Sequence, residues 1–238
     1  DTVGATTLRP EHVSYGLNDT VIFDFLGKDS IHWHLEAQLS SQVIQNIKEF
    51  SSTAKSAIFK GVRSDNVSSF LDEVMPGLSA KVFRTYHATQ IVAGSLRTAK
   101  VTPQDPEFLK KHVAKMANLE AAKACNHKKQ ISKSWRASLT KMKTRLKKLR
   151  SQKRQIRARK TRKKETKIRR LQKIDERINK LRLQIKLKEA TKEYNLNTSL
   201  KSYIDPRTYY RWSESIEYDW HQIYSKSLQR KFHWVETT

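Results

Sequence analysis

At 238 residues the chain has room for one or two domains, yet only 37% of it is hydrophobic, so some stretch must be solvated rather than packed. A net charge of +25 concentrates polyanions around the protein and makes nucleic acid the leading partner. The single cysteine, Cys125, excludes an intrachain disulfide and, with no clustered Cys/His pattern, the usual zinc modules, which fits a reducing compartment.

Residues 1–127 read as a mixed α/β or mostly helical body. The chain starts Asp-Thr-Val, with neither the basic nor the apolar region of a signal peptide, and no apolar run approaches the roughly 18 to 20 residues of a membrane span. No membrane partner is expected, and the Asn-x-Ser/Thr triplets at Asn18, Asn66 and Asn197 are read as chance matches. Residues 20–25 and 31–35 are short β-prone runs separated by Leu-Gly-Lys-Asp-Ser, a hairpin with Lys28 at its tip. His32 and His34 would share one face of the second strand and are read as structural. Helices are expected over 42–53, from about 67 to 74, and over 76–96 with Leu78, Val82, Tyr86 and Ile91 as its apolar face. Asp105 followed by Pro106 reads as a cap with proline at the first helical position, opening a helix that runs close to Cys125.

Residues 128–192 carry 28 Lys and Arg against four acids, Glu165, Asp175, Glu176 and Glu189, so +24 of the +25 sits there. The segment has no Gly or Pro, and Leu139, Met142, Leu146, Leu149 and Ile156 recur at helical spacing along one narrow seam. The seam fails over 157–167 and restarts in a shifted register at Leu171, Ile174, Ile178, Leu181 and Ile185. Two antiparallel helices joined at a polar tip explain this better than one, with each arm spanning roughly 30 to 37 Å at 1.5 Å per residue. Most of the charges are read as a solvated face; the basic cluster 157–164 also fits a localisation signal.

Residues 195–238 form an aromatic tail with a second cap-and-proline start at Asp205 and Pro206. Tyr209, Tyr210, Trp212, Tyr218, Trp220, Tyr224, Phe232 and Trp234 are assigned to packing against the body. Tyr203 is set apart from them. The fold class is therefore mainly α with a small β-hairpin or sheet element (α+β), in three parts: a core portion 1–127, a basic coiled-coil linker 128–194, and a short helical segment 195–238.

Four segments, DTVGATTLRPEH, FDFLGKDSIHW, MPGLSAKVFRTYHAT and SYIDPRTYYRW followed by YSKSLQRKFHW, together with a CNH triplet before the basic hairpin, resemble the catalytic part of type IB DNA topoisomerases of the eukaryotic nuclear kind, a family with an archaeal branch. The resemblance covers essentially the whole chain. It implies that Lys28 is the catalytic lysine, Arg84 the second arginine of the site, His127 its histidine and Tyr203 the nucleophile. It further implies relaxation of supercoiled DNA by single-strand cleavage through a 3′-phosphotyrosine, strand rotation and religation, with no cofactor, ATP or metal. These roles suit the residue types. A phosphodiester needs fixed cations where charge grows; arginine offers a fork for two phosphate oxygens; and His127, close to a helix C-terminus that favours the cation, can donate to another. A tyrosine hydroxyl is ordinarily protonated at neutral pH, its pKa being about 10, and nearby cations lower that barrier. Lys28 would protonate the departing 5′ oxygen, a role typically worth about 10² to 10⁴ in rate.

The implied partners are double-stranded DNA and an N-terminal polypeptide, or preceding region of the same enzyme, that supplies the family's other arginine, which lies just upstream of DTVG, and completes the clamp around the duplex. The implied location is DNA-associated and intracellular: the nucleus if eukaryotic, the nucleoid or cytoplasm if archaeal. Ser202 stands where the family commonly has Asn, which bears on sensitivity to camptothecin-like poisons and not on the chemistry. Two rival readings are a tyrosine recombinase, in which the histidine usually precedes the second arginine by two or three residues, and a non-enzymatic basic coiled-coil protein. The second leaves the contexts of Lys28, Arg84 and Tyr203 unexplained.

Overall fold

The computed structural model describes residues 2–160 and 163–237. Among them it is mainly α-helical with one three-stranded antiparallel sheet, and the chain divides into two compact units, Asp1–Ala80 and Lys81–Thr238. Residues 161 and 162, inside the basic cluster at the expected polar tip, lie outside the described residues.

In the first unit β1 (Val13–Tyr15), β2 (Thr20–Gly27) and β3 (Ile31–Gln38) pair in chain order. The period of two puts Phe23 and Phe25 with Val3, Leu8 and Ile58 in a small core, and leaves Asp24 on the solvent face. The β2–β3 hairpin is longer than its sequence suggests: Gly27 pairs with Ile31, and only Lys28–Ser30 turn. Gly27 is needed there because a Cβ would meet Trp33 Nε1 at 2.5 Å. The strand β1 went unread. Its signal is Asn18-Asp19, both with positive φ (56° and 57°), in a turn closed by Thr20 N donating to Leu17 O at 3.3 Å that joins β1 to β2. α1 (Ser41–Thr53) matches expectation, and α2 (Ser64–Val74) starts three residues earlier than expected.

In the second unit α3 (Ala80–Thr98) begins later than residue 76, because Gly77 adopts φ +81° and its N–H donates to Asp72. Its buried face is Ala88, Val92 and Leu96. The expected face is corrected accordingly: Val82 and Tyr86 are exposed and Ile91 is half-buried. These residues share a core with Ala114, Ala117, Tyr209, Trp220 and Tyr224, so small side chains that hydrophobic periodicity weights lightly sit against large rings. α4 (Glu107–Ala124) packs through Ala114, Ala117 and Ala121. Asp105 does not cap it; Pro106 occupies the cap position, and the Asp105 carboxylate accepts from the N–H and hydroxyl of Thr102 instead.

α5 (Trp135–Ala158) and α6 (Lys164–Ala190) form the coiled coil. Leu139, Leu149, Ile174, Ile178, Leu181 and Ile185 are buried in its seam, with Met142, Leu146 and Ile156 partly so. The pairs Lys143 with Glu189 and Lys153 with Asp175 bridge the two helices in antiparallel register.

The tail folds as α7 (Leu196–Ser202), α8 (Pro206–Ser215) and α9 (Lys226–Lys231). Tyr209, Trp220, Tyr224 and Phe232 share a core with α3 and α4, as their aromatic character led one to expect. Trp234 is exposed, with the Arg207 guanidinium 5.8 Å from its ring. Asp205 does cap α8, accepting from Arg207 N at 2.9 Å. Lys110 locks the tail to α4: its ammonium is buried and donates to Pro103 O and Ile216 O, each at 2.8 Å. Lys110→Met is therefore expected to lower unfolding free energy by about 1 to 3 kcal/mol, because it strips buried carbonyls of a charged donor. Urea denaturation measures this, and a loss under about 0.5 kcal/mol, the surface-substitution range, would refute it.

Candidate active site

The helix α4 ends in a geometry that the Cys125-Asn126-His127 triplet dictates. Asn126 takes φ 51°, a conformation asparagine tolerates better than most residues. His127 N then donates to Ala122 O at 2.8 Å and Asn126 N to Lys123 O at 2.9 Å, the paired bonds that satisfy a helix C-terminus and fix the next residue's direction. His127 is thereby held at the base of the coiled coil, where its carbonyl accepts from Asn195 N at 2.7 Å and Lys129 N donates to Glu193 O at 2.8 Å.

Where the chain returns from α6, Asn195 caps α7 by accepting from Asn197 N at 3.1 Å. Asn118 of α4, itself buried, donates to Leu196 O at 3.0 Å and seats the helix. Ser199 is fully buried; its carbonyl accepts from Tyr203 N at 2.9 Å, and its hydroxyl lies 2.8 Å from His127 Nδ1. The His127 and Tyr203 rings come to 5.2 Å between centroids, and the Arg84 guanidinium carbon from α3 stands 5.5 Å from the Tyr203 ring. α3 is tied to this point by Thr89, whose hydroxyl accepts from Asp205 N at 3.0 Å just after Tyr203.

Three of the four residues singled out in the sequence, Arg84, His127 and Tyr203, thus gather within the second unit. Lys28 belongs to the first, where it sits exposed at the tip of the β2–β3 hairpin. His127 departs from expectation in charge. Burial, and secondarily the Arg84 charge, hold its imidazole below the usual histidine range, so the pull of the helix C-terminus toward the cation is outweighed. Burial also pushes the Cys125 thiol up, partly offset by Arg84, which leaves it a packing residue. Burial pushes the Tyr209 hydroxyl well up, and that hydroxyl is engaged in donating to Ala114 O at 3.1 Å.

Ser199 and Asn118 were missed in the sequence. Ser199 lies one helical turn before Tyr203, a spacing that could have drawn notice, but a serine in a short helix carries no chemical signature of its own. The His32 and His34 rings both engage the Asp24 carboxylate, at 2.7 and 2.9 Å, on the exposed face of the sheet. Those bonds, His34's first, hold Asp24 below the usual carboxylate range. Among the described residues no group of three or more His, Cys, Asp or Glu is arranged to hold a metal ion.

The arrangement is a basic helical protein that brings an arginine and a histidine to one tyrosine. Two family models match: the catalytic core of eukaryotic DNA topoisomerase I over residues 1–160 and a C-terminal topoisomerase domain over 175–238. The chain belongs to the eukaryotic DNA topoisomerase I family. It is 31% identical to DNA topoisomerase 1 of Drosophila melanogaster over 99% of this chain and 25% of that protein. It is 30% identical to that of Caenorhabditis elegans over 99% and 31%, and 31% identical to the mitochondrial DNA topoisomerase I of Rattus norvegicus over 99% and 43%. The chain therefore spans between a quarter and under half the length of these relatives. They are eukaryotic, and the archaeal alternative finds no support among them.

Proposed function

We propose that the chain carries the nucleophile of an enzyme that relaxes supercoiled double-stranded DNA. In this reading residues 1–127 are core, 128–194 a linker, and 195–238 the segment that bears Tyr203. The Tyr203 oxygen attacks phosphorus, the bond from phosphorus to the 5′ oxygen breaks, and Lys28 delivers a proton to that oxygen. Arg84 and His127 donate to the non-bridging oxygens as charge builds on them. Religation is the reverse, and the phosphotyrosine bond conserves the energy of the bond broken, so neither ATP nor a metal is called for. The observation that carries the reading is the convergence of Arg84 and His127 on Tyr203. A further polypeptide or region bearing the family's other arginine would complete the site, and a DNA-associated location belongs to the same reading: nuclear as the motif resemblance implies, or mitochondrial as in the name of the rat relative.

The test is denaturant-resistant attachment of the chain to a nicked duplex oligonucleotide, the label being on the strand whose 3′ phosphate is captured. No attachment by the chain, alone or with the remaining part of a relative's enzyme added, would reduce the reading to DNA binding.

The coiled coil brings charge and no residue of the proposed site. Deleting residues 132–190 and bridging the ends, which the bonds between 127–129 and 193–195 already hold together, is expected to retain cleavage. It should also flatten the dependence of log affinity on log salt, whose slope counts phosphates contacted. Fluorescence anisotropy across a salt series measures that slope; an unchanged value would mean that the coil does not touch DNA.

A further inference from the structure

His127 leaves a question that its position alone does not answer. Its imidazole is held below the usual histidine range by burial and by Arg84, which favours the uncharged ring, with one proton, at neutral pH. An uncharged imidazole donates from one nitrogen only, and which one is set by the hydrogen bond made at the other. The Nδ1 side faces the hydroxyl of Ser199 at 2.8 Å, and Nε2 has no hydrogen-bond partner among the described residues. The Ser199 side chain is fully buried and has no other partner there, so its hydroxyl is committed to this one ring.

We propose that Ser199 is a positioning residue for His127: its hydroxyl donates to Nδ1 and thereby keeps the ring proton on Nε2, the nitrogen left for a phosphate oxygen. The reverse arrangement, with Nδ1–H donating to Ser199, would put a bare lone pair on Nε2 and repel the phosphate. Because the Ser199 carbonyl also accepts from Tyr203 N at 2.9 Å, one residue of α7 sets both the histidine's tautomer and the tyrosine's backbone. The inference rests on the proposed roles of His127 and Tyr203, and extends them to a residue that touches no substrate.

Two measurements separate it from that reading. In the full chain, long-range nitrogen–proton NMR of the histidine rings reports the tautomer directly and needs no variant. The expected result is a His127 ring protonated at Nε2 with an unprotonated, hydrogen-bonded Nδ1; an Nδ1–H ring in the unmodified chain overturns the proposal. In Ser199→Ala the donor that favours the neutral ring is gone, so the His127 titration midpoint is expected to rise. Attachment to the nicked duplex is expected to slow by about 10- to 100-fold, taking as the scale the cost of losing the hydrogen-bond partner of a metal-ligating histidine. Ser199→Thr, which keeps the hydroxyl, is expected to restore both. A serine that merely filled space would leave the midpoint in place, and that outcome also sinks the idea. Slower attachment without a shifted midpoint, or a shifted midpoint without slower attachment, overturns it while leaving Tyr203 as nucleophile untouched. If Ser199→Ala fails to fold, the unmodified spectrum together with Ser199→Thr still decides. Absence of attachment by the unmodified chain would count against the functional reading instead, and the tautomer would remain measurable.

Discussion

Tyr203→Phe is expected to abolish covalent attachment to DNA while leaving DNA affinity within a few-fold of the parent. The ring is retained, and with it the 5.2 Å contact with His127 and the 5.5 Å approach of Arg84, so the packing that seats α7 against α4 should survive. The hydroxyl makes no hydrogen bond to another described residue, so stability should move by no more than the roughly 0.5 kcal/mol of a neutral substitution. What is lost is the oxygen proposed to attack phosphorus, and neither Arg84 nor His127 is placed to replace it as the proposed nucleophile. Tyr209 is a poor substitute, being fully buried with its hydroxyl bonded to Ala114 O. Denaturing electrophoresis of a labelled nicked duplex reads the result. A persistent adduct would move the nucleophile elsewhere, with the partly buried Tyr210 the next to replace.

Arg84→Gln is expected to slow attachment by about 10² to 10³, the usual cost of removing one preorganised donor from a developing oxyanion. Arg84→Lys should recover only part of this, because an ammonium restores charge without the planar fork. The side chain is exposed and its ring contact with Tyr203 is worth about 0.5 to 1 kcal/mol, so the rate loss should far exceed any loss of stability. A second readout follows from electrostatics. Arg84 is one of two causes that hold His127 below the usual range, burial being the larger. Removing its charge should raise the His127 midpoint while burial still keeps it low; Arg84→Lys should not. Single-turnover cleavage at saturating DNA isolates the chemical step, and an unchanged rate there would remove Arg84 from the site.

Charge and periodicity by themselves determined the coiled coil. A stretch with no Gly or Pro and a seam recurring every three or four residues must bury that seam against another helix, and the break in register marked the turn that lets it do so within the chain. The hairpin that carries Lys28 was legible for a similar reason, since β-branched and aromatic runs on either side of a short polar turn need no distant partner to be recognised. Tyr203, Arg84 and His127 were singled out through the wording of their motifs, not through any property that each residue has alone. Tertiary structure decided the rest. The inner face of α3 is Ala88, Val92 and Leu96, and not the larger residues that its apolar pattern favours, because it joins a core already filled by the large rings of Tyr209, Trp220, Tyr224 and Phe232, partners that lie more than a hundred residues further along the chain. Asp105 turned from a helix cap into the anchor of a preceding turn, since both uses draw on the same short carboxylate and only the neighbouring backbone selects one. The direction in which the His127 pKa moves is of the same kind: the helix end on which the ring sits is local and readable, whereas the Arg84 guanidinium, which adds to burial in holding that pKa down, lies more than forty residues away in the chain.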